Sequence, residues 1–222
     1  MVLKNAAQLA LVALLPVAAC RSAGHGAMDH SAHMAGGSAA DQYVAKARAD
    51  SARLPYVEAD VEFMSGMIGH HAQAVVMSRW AATHDASAAV RTLAARIINA
   101  QTDEIALMQN WLRDRNRPVP SAGLDSMEGH AHHDMMPGML NADQMKELEN
   151  ARGQDFDRLF LRYMIMHHRG AVDMVKKLFA TEGAGQDETV FKFASDVNVD
   201  QTTEITRMEQ MLLGLLLEPK KP

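Results

Sequence analysis

One phrase, a methionine followed three residues later by two adjacent histidines, occurs twice in this chain. Met67, His70 and His71 carry it first, and Met164, His167 and His168 carry it again 97 residues later. The flanks repeat as well: Phe63, Ala74, Val75 and Met77 match Phe160, Ala171, Val172 and Met174 at the same offset. Further on, Gln101, Glu104, Ile105, Met108 and Leu112 match Gln201, Glu204, Ile205, Met208 and Leu212 at an offset of 100. Around these residues apolar side chains recur at i, i+3 and i+4, the period of an amphipathic helix. No strand series is visible. Each half therefore predicts a helical hairpin, with the change of offset absorbed in its turn. Two hairpins bury their apolar faces by packing together as an all-α four-helix bundle.

The boundaries follow from composition. Lys4 and the apolar run Leu9–Ala19 predict an export signal over residues 1–19, too short for a spanning helix. It ends Val17-Ala18-Ala19-Cys20, small residues before the only cysteine, so Cys20 is expected to be lipidated. A lone cysteine excludes an internal disulfide and a thiolate cluster. Residues 20–40 are rich in Gly, Ala and Ser and predict a flexible tether. The first hairpin is expected over 41–115: a short helix Asp41–Leu54, then helices from about Val57 to His84 and from about Ala86 to Arg115. A Pro- and Gly-rich linker spans 116–140. The second hairpin covers 141–218, with Asn141 and Gln144 as a capping box, a bend at Gly153, a break at Gly183 and Gly185, and a last helix from about Gln186 to Leu217.

Seventeen Met against eleven Phe, Trp and Tyr combined points to soft-metal ligands or an adaptable core. The net charge of −5 gives no support to nucleic-acid binding. Ten of the eleven histidines lie in four clusters that also contain Met, and only His84 stands apart. On a helix the i, i+3 and i+4 positions share a face, so Met67 sits beside His70 and His71, and Met164 beside His167 and His168. Met77 and Met174 fall about 10 Å further along the axis and need another helix to reach the same ion; Met108 and Met208 lie on the partner helices. The metal candidates are thus Met67, His70, His71, Met77, Met108, Met164, His167, His168, Met174 and Met208. Counting back from the turns brings Gln101, Glu104, Gln201 and Glu204 near the histidine level, as groups that orient imidazoles by accepting their second N–H. Further ligands are expected in flexible segments: His25, Met28, His30, His33 and Met34 in the tether, and Met127, His130, His132, His133, Met135, Met136 and Met139 in the linker. Thioether with imidazole suits Cu(I) and Ag(I); His-only binding leaves Cu(II), Ni(II) and Zn(II) open.

The phrases from Phe63 to His71 and from Phe156 to His168 resemble the family called domain of unknown function 305, which includes the CopM-like copper-binding proteins. The resemblance covers about residues 56–216. It implies a ferritin-like bundle, export to the periplasm or cell surface, and copper binding linked to copper tolerance. Residue by residue it supports Met67, His70, His71, Met77, Met164, His167, His168 and Met174. Met64 departs from the pattern, since Leu161 holds the repeated position.

The expected function is an exported, lipid-anchored protein that buffers, sequesters or delivers copper, with a copper-transport protein as a further partner. One competing class is a bundle enzyme with a two-metal carboxylate centre. It requires Glu-x-x-His on two helices, and that spacing is absent here. Another is a metal-independent interaction lipoprotein. No serine or cysteine sits in a recognisable nucleophile setting, so no catalytic role is expected.

Overall fold

A computed structural model describes residues 39–51, 55–122 and 136–217. The chain divides into two units, Met1–Ser38 and Ala39–Pro222, and all described residues belong to the second. They form six helices and no strand: α1 Ala39–Ser51, α2 Glu58–Trp80, α3 Ala88–Asp114, α4 Ala142–Asn150, α5 Gly153–Ala180 and α6 Glu188–Leu217. None of these is long and apolar enough to cross a membrane.

Two antiparallel hairpins, α2/α3 and α5/α6, meet through α2 and α5. The arrangement explains the residue patterns. Helix α2 is buried nearly all round, from Val61 through Met67, His70 and His71 to Met77, because α3, α5 and the segment before α4 all cover it. Helix α3 buries a narrower stripe at Val90, Leu93, Ala94, Ile97, Gln101, Ile105, Met108 and Leu112, and the corresponding stripe on α6 includes Val190, Phe193, Ala194, Val197, Gln201 and Met208.

The starts of the helices are capped locally. Ser87 Oγ accepts the Val90 N–H of α3, and Asp187 Oδ1 accepts the Thr189 and Val190 N–H groups of α6, relieving donors that a helix start leaves unpaired. Asn141 and Gln144 exchange reciprocal bonds of 2.9 and 3.0 Å at the start of α4. The bend expected at Gly153 is a full break. Gly153 adopts φ +57°, and its N–H donates to the His84 carbonyl at 2.9 Å.

A reciprocal clasp joins the hairpins. Asp60 on α2 accepts the Gly185 N–H in the turn of the second hairpin at 2.7 Å. Its repeat equivalent on α5, Asp157, accepts the Ser87 N–H in the turn of the first at 3.1 Å. Both carboxylates are buried, so each turn is tied by the other hairpin. At one end of the hairpins the buried Asp187 also pairs with Arg115 at 2.5 Å and accepts the Trp111 indole N–H at 3.0 Å. His84, the isolated histidine, is part of this framework: its Nε2 donates to the Glu149 carbonyl at 2.7 Å, while Nδ1 meets the Thr83 hydroxyl at 2.9 Å.

Candidate metal centre

The antiparallel crossing of α2 and α5 brings the two histidine doublets together. His70 and His167, equivalent in the repeat, stack with ring centroids 3.8 Å apart and planes tilted by 39°. Their neighbours flank them, His71 at 6.5 Å from His70 and His168 at 6.2 Å from His167. All four side chains are fully buried.

The hydrogen bonds fix which ring nitrogens carry protons. His71 Nε2 lies 2.8 Å from Glu104 Oε2, and His168 Nε2 lies 2.8 Å from Glu204 Oε2. A carboxylate only accepts, so both imidazoles donate from Nε2, and the neutral ring, the form that binds a metal, then presents its lone pair on Nδ1. Neither Nδ1 has a hydrogen-bond partner, and both are buried. An unsatisfied buried acceptor costs about 1–3 kcal/mol, which a bound cation would relieve. This is the usual arrangement of a ligating histidine, its remote N–H held by a carboxylate. His70 Nε2 likewise donates to the Pro137 carbonyl at 3.1 Å. Burial holds His167 well below the ordinary histidine range, with the neighbouring His70, His168 and His71 acting in the same direction and the His70 backbone weakly opposing. His167 is therefore a neutral imidazole, as a metal ligand must be.

The methionines fall into two groups on either side of this layer. Met67, Met108 and Met64 belong to one core cluster, with the half-buried Met174 packed against it. Met164, Met208 and Met77 belong to the other. The His71–Glu104 contact sets the register of the first hairpin, so Met67 and Met108, each one turn away in opposite chain directions, are level. The His168–Glu204 contact does the same for Met164 and Met208. Met77 and Met174, displaced along their own helices, fall across the histidine layer, Met77 in the cluster of Met164 and Met174 against the cluster of Met67. Five of the six candidate thioethers are fully buried, Met174 being the exception. Gln101 and Gln201 are buried, with Oε1 of Gln101 and both amide atoms of Gln201 unpartnered; no bond to a histidine is made by either.

Among the described residues no group of three or more His, Cys, Asp or Glu side chains converges on one point. The expected ligands His25, Met28, His30, His33, Met34, Met127, His130, His132, His133 and Met135, and the lipidation candidate Cys20, lie outside the described residues. Met136 does not behave as a loose linker ligand. It begins a tight turn in which the Met139 N–H donates to the Met136 carbonyl at 3.3 Å, and its Sδ lies 3.5 Å from where a Cβ on Gly66 would be.

The sequence reading missed the strap formed by residues 136–140. Gln73 grips it through Leu140, donating to the carbonyl at 3.0 Å and accepting the N–H at 2.8 Å. Gly138, at φ +77°, passes against the His167 carbonyl and Gly170. The available signal was a break in the repeat: Gln73 and Gly170 occupy equivalent positions yet differ, and both touch the strap.

Fold and site together define a duplicated all-helical protein whose core gathers paired imidazoles between two clusters of thioethers. The chain belongs to the family described as Domain of unknown function (DUF305), whose model matches residues 60–212. Among solved structures it is similar to a DUF305 protein of Streptomyces coelicolor described as a candidate secreted protein, at 28% identity and TM-score 0.61, covering 74% of this chain and 98% of that one. It is also similar to CopM in a Cu(II)-bound form, at 32% identity and TM-score 0.56, covering 70% of this chain and 96% of that one. The Cu(I)-bound form of CopM matches at 30% identity and TM-score 0.54 over the same shares. No curated protein matches the chain.

Proposed function

We propose that this chain is an exported copper-binding protein that buffers, sequesters or delivers copper, and that it is not a catalyst. The observation that carries the reading is the pair of buried, unpartnered Nδ1 atoms on His71 and His168, each backed by a glutamate on Nε2. One turn away stand Met67 with Met108 and Met164 with Met208. No three His, Cys, Asp or Glu side chains converge among the described residues, and in this reading the ion takes thioether sulfur as well as imidazole nitrogen. That mixture favours Cu(I) over Mg, Ca or Zn. The likeness to CopM, whose structures are described as Cu(II)-, Cu(I)- and Ag-bound, supports copper as the metal.

The two hairpins form a ferritin-like four-helix bundle in this reading, and Cys20 is the lipid attachment point that holds the exported chain at a membrane. A copper-transport protein would exchange the ion with it. Competition titration of the full chain against a chromophoric Cu(I) chelator under reducing conditions tests the central claim. Binding tighter than micromolar, weakened by His71→Ala and His168→Ala, is expected; binding no tighter than micromolar would overturn it.

A further inference from the structure

We propose that Met136 and Met174 form a separate, solvent-reachable site for a soft monovalent cation, Cu(I) or Ag(I), on one face of the molecule. The proposal rests on the copper reading above and adds a place where the ion is first held.

Three features bring the two thioethers together. Gly66 has no side chain, and a Cβ there would stand 3.5 Å from Met136 Sδ and 3.5 Å from the Met174 methyl. Both thioether ends therefore crowd the same point beside α2. Met174 is delivered by α5. Met136 is delivered by the strap, whose position is set on both sides of the Pro137–Gly138 turn by the Gln73–Leu140 pair and the His70–Pro137 bond. Met136 is thus held by hydrogen-bonded backbone, which removes much of the ordering cost of a flexible ligand.

Accessibility separates this pair from the candidate ligands of the core, although Met139, Met145, Met166 and Met211 are also half-buried. Met136 and Met174 are half-buried, whereas Met67, Met77, Met108, Met164 and Met208 are fully buried. Two neutral thioethers offer soft donors without charge, which suits Cu(I) and Ag(I) and discriminates against hard divalent ions. The site also adjoins the core, because Met136 precedes Pro137, whose carbonyl accepts the His70 N–H.

The site breaks the pseudo-symmetry. Tyr163 occupies the repeat position equivalent to Gly66, and its hydroxyl donates to Glu147. Met77, the equivalent of Met174, is buried. The equivalent position therefore lacks the glycine gap, and the equivalent sulfur is buried.

The test uses the full chain labelled with 13C at the methionine methyls and titrated with Ag(I) alone. The assigned Met136 and Met174 methyl signals are expected to shift together. Met136→Leu, which keeps the volume, is expected to abolish the Met174 shift and weaken that site at least tenfold, while the Met67 and Met164 shifts persist. Shifts at Met67 and Met164 with Met136 and Met174 unmoved would overturn this site and leave the copper reading standing. No methyl shift anywhere would overturn both.

Discussion

Replacing Gly170 with alanine is expected to destabilise the protein although it puts a better helix former into α5. The added Cβ would stand 1.9 Å from the Pro137 carbonyl oxygen, 2.4 Å from its carbon and 2.7 Å from Gly138 Cα. All three are backbone atoms, so no rotamer change relieves the clash and the strap must lift. Lifting it breaks the two Gln73–Leu140 bonds and the His70–Pro137 bond. Each hydrogen bond contributes about 1 kcal/mol net, and stranding the buried Gln73 amide adds about 1–3 kcal/mol. Against that, alanine gains about 1 kcal/mol over glycine in a helix interior. The balance is a loss of about 3–5 kcal/mol, read as a lower urea midpoint with unchanged slope and a fall in Tm of roughly 6–20 °C. Gly66→Ala is the control, because its Cβ meets only ordinary contacts at 3.5 Å; it is expected to be neutral or slightly stabilising. A Gly170→Ala protein as stable as the parent would refute the strap as a rigid part of the fold.

Other outcomes follow from the same geometry. Glu104→Gln and Glu204→Gln should each weaken Cu(I) binding about 10–100-fold by loosening the orientation of His71 and His168, measured by chelator competition; unchanged affinity would show that the carboxylates are incidental. Because His167 is held neutral by burial, the unfolded chain binds more protons below its ordinary pKa of 6.5. Its contribution is complete above that pH and is lost as pH falls below it, by up to about 1.4 kcal/mol per pH unit. Urea midpoints of the metal-free protein between pH 7 and 5 should fall accordingly, and less steeply for His167→Gln; identical slopes would remove His167 as the cause. Asp187→Ala should cost about 3–5 kcal/mol, since it leaves the buried Arg115 guanidinium without its carboxylate; a change under 1 kcal/mol in urea unfolding would contradict this.

The parts of the structure readable from sequence were those encoded by local period and by repetition. Helical spacing put Met67 beside His70 and His71, and the duplication required a second copy at Met164, His167 and His168. Counting back from the turns put residue 71 level with about 101; the contact falls one turn later, at Glu104, within the error of locating a turn. What the period could not encode was the crossing of α2 and α5. The His70–His167 stack, the gathering of Met77 with Met164 and of Met174 with Met67, and the Asp60 and Asp157 clasp all depend on that crossing. The linker reading failed at Met136 for a related reason. Proline and glycine mark a turn, but its anchors, Gln73 and Gly170, lie on distant helices.

The clasp also bears on what happens when the chain is divided. Cut between its halves, the protein yields two fragments, each retaining a carboxylate meant for an amide it no longer possesses, and an amide missing its carboxylate. Neither fragment can satisfy itself by refolding alone, while the pair can satisfy each other without a covalent link. Co-produced halves are therefore the form in which a severed chain would regain its core, through mutual completion and not through two independent domains.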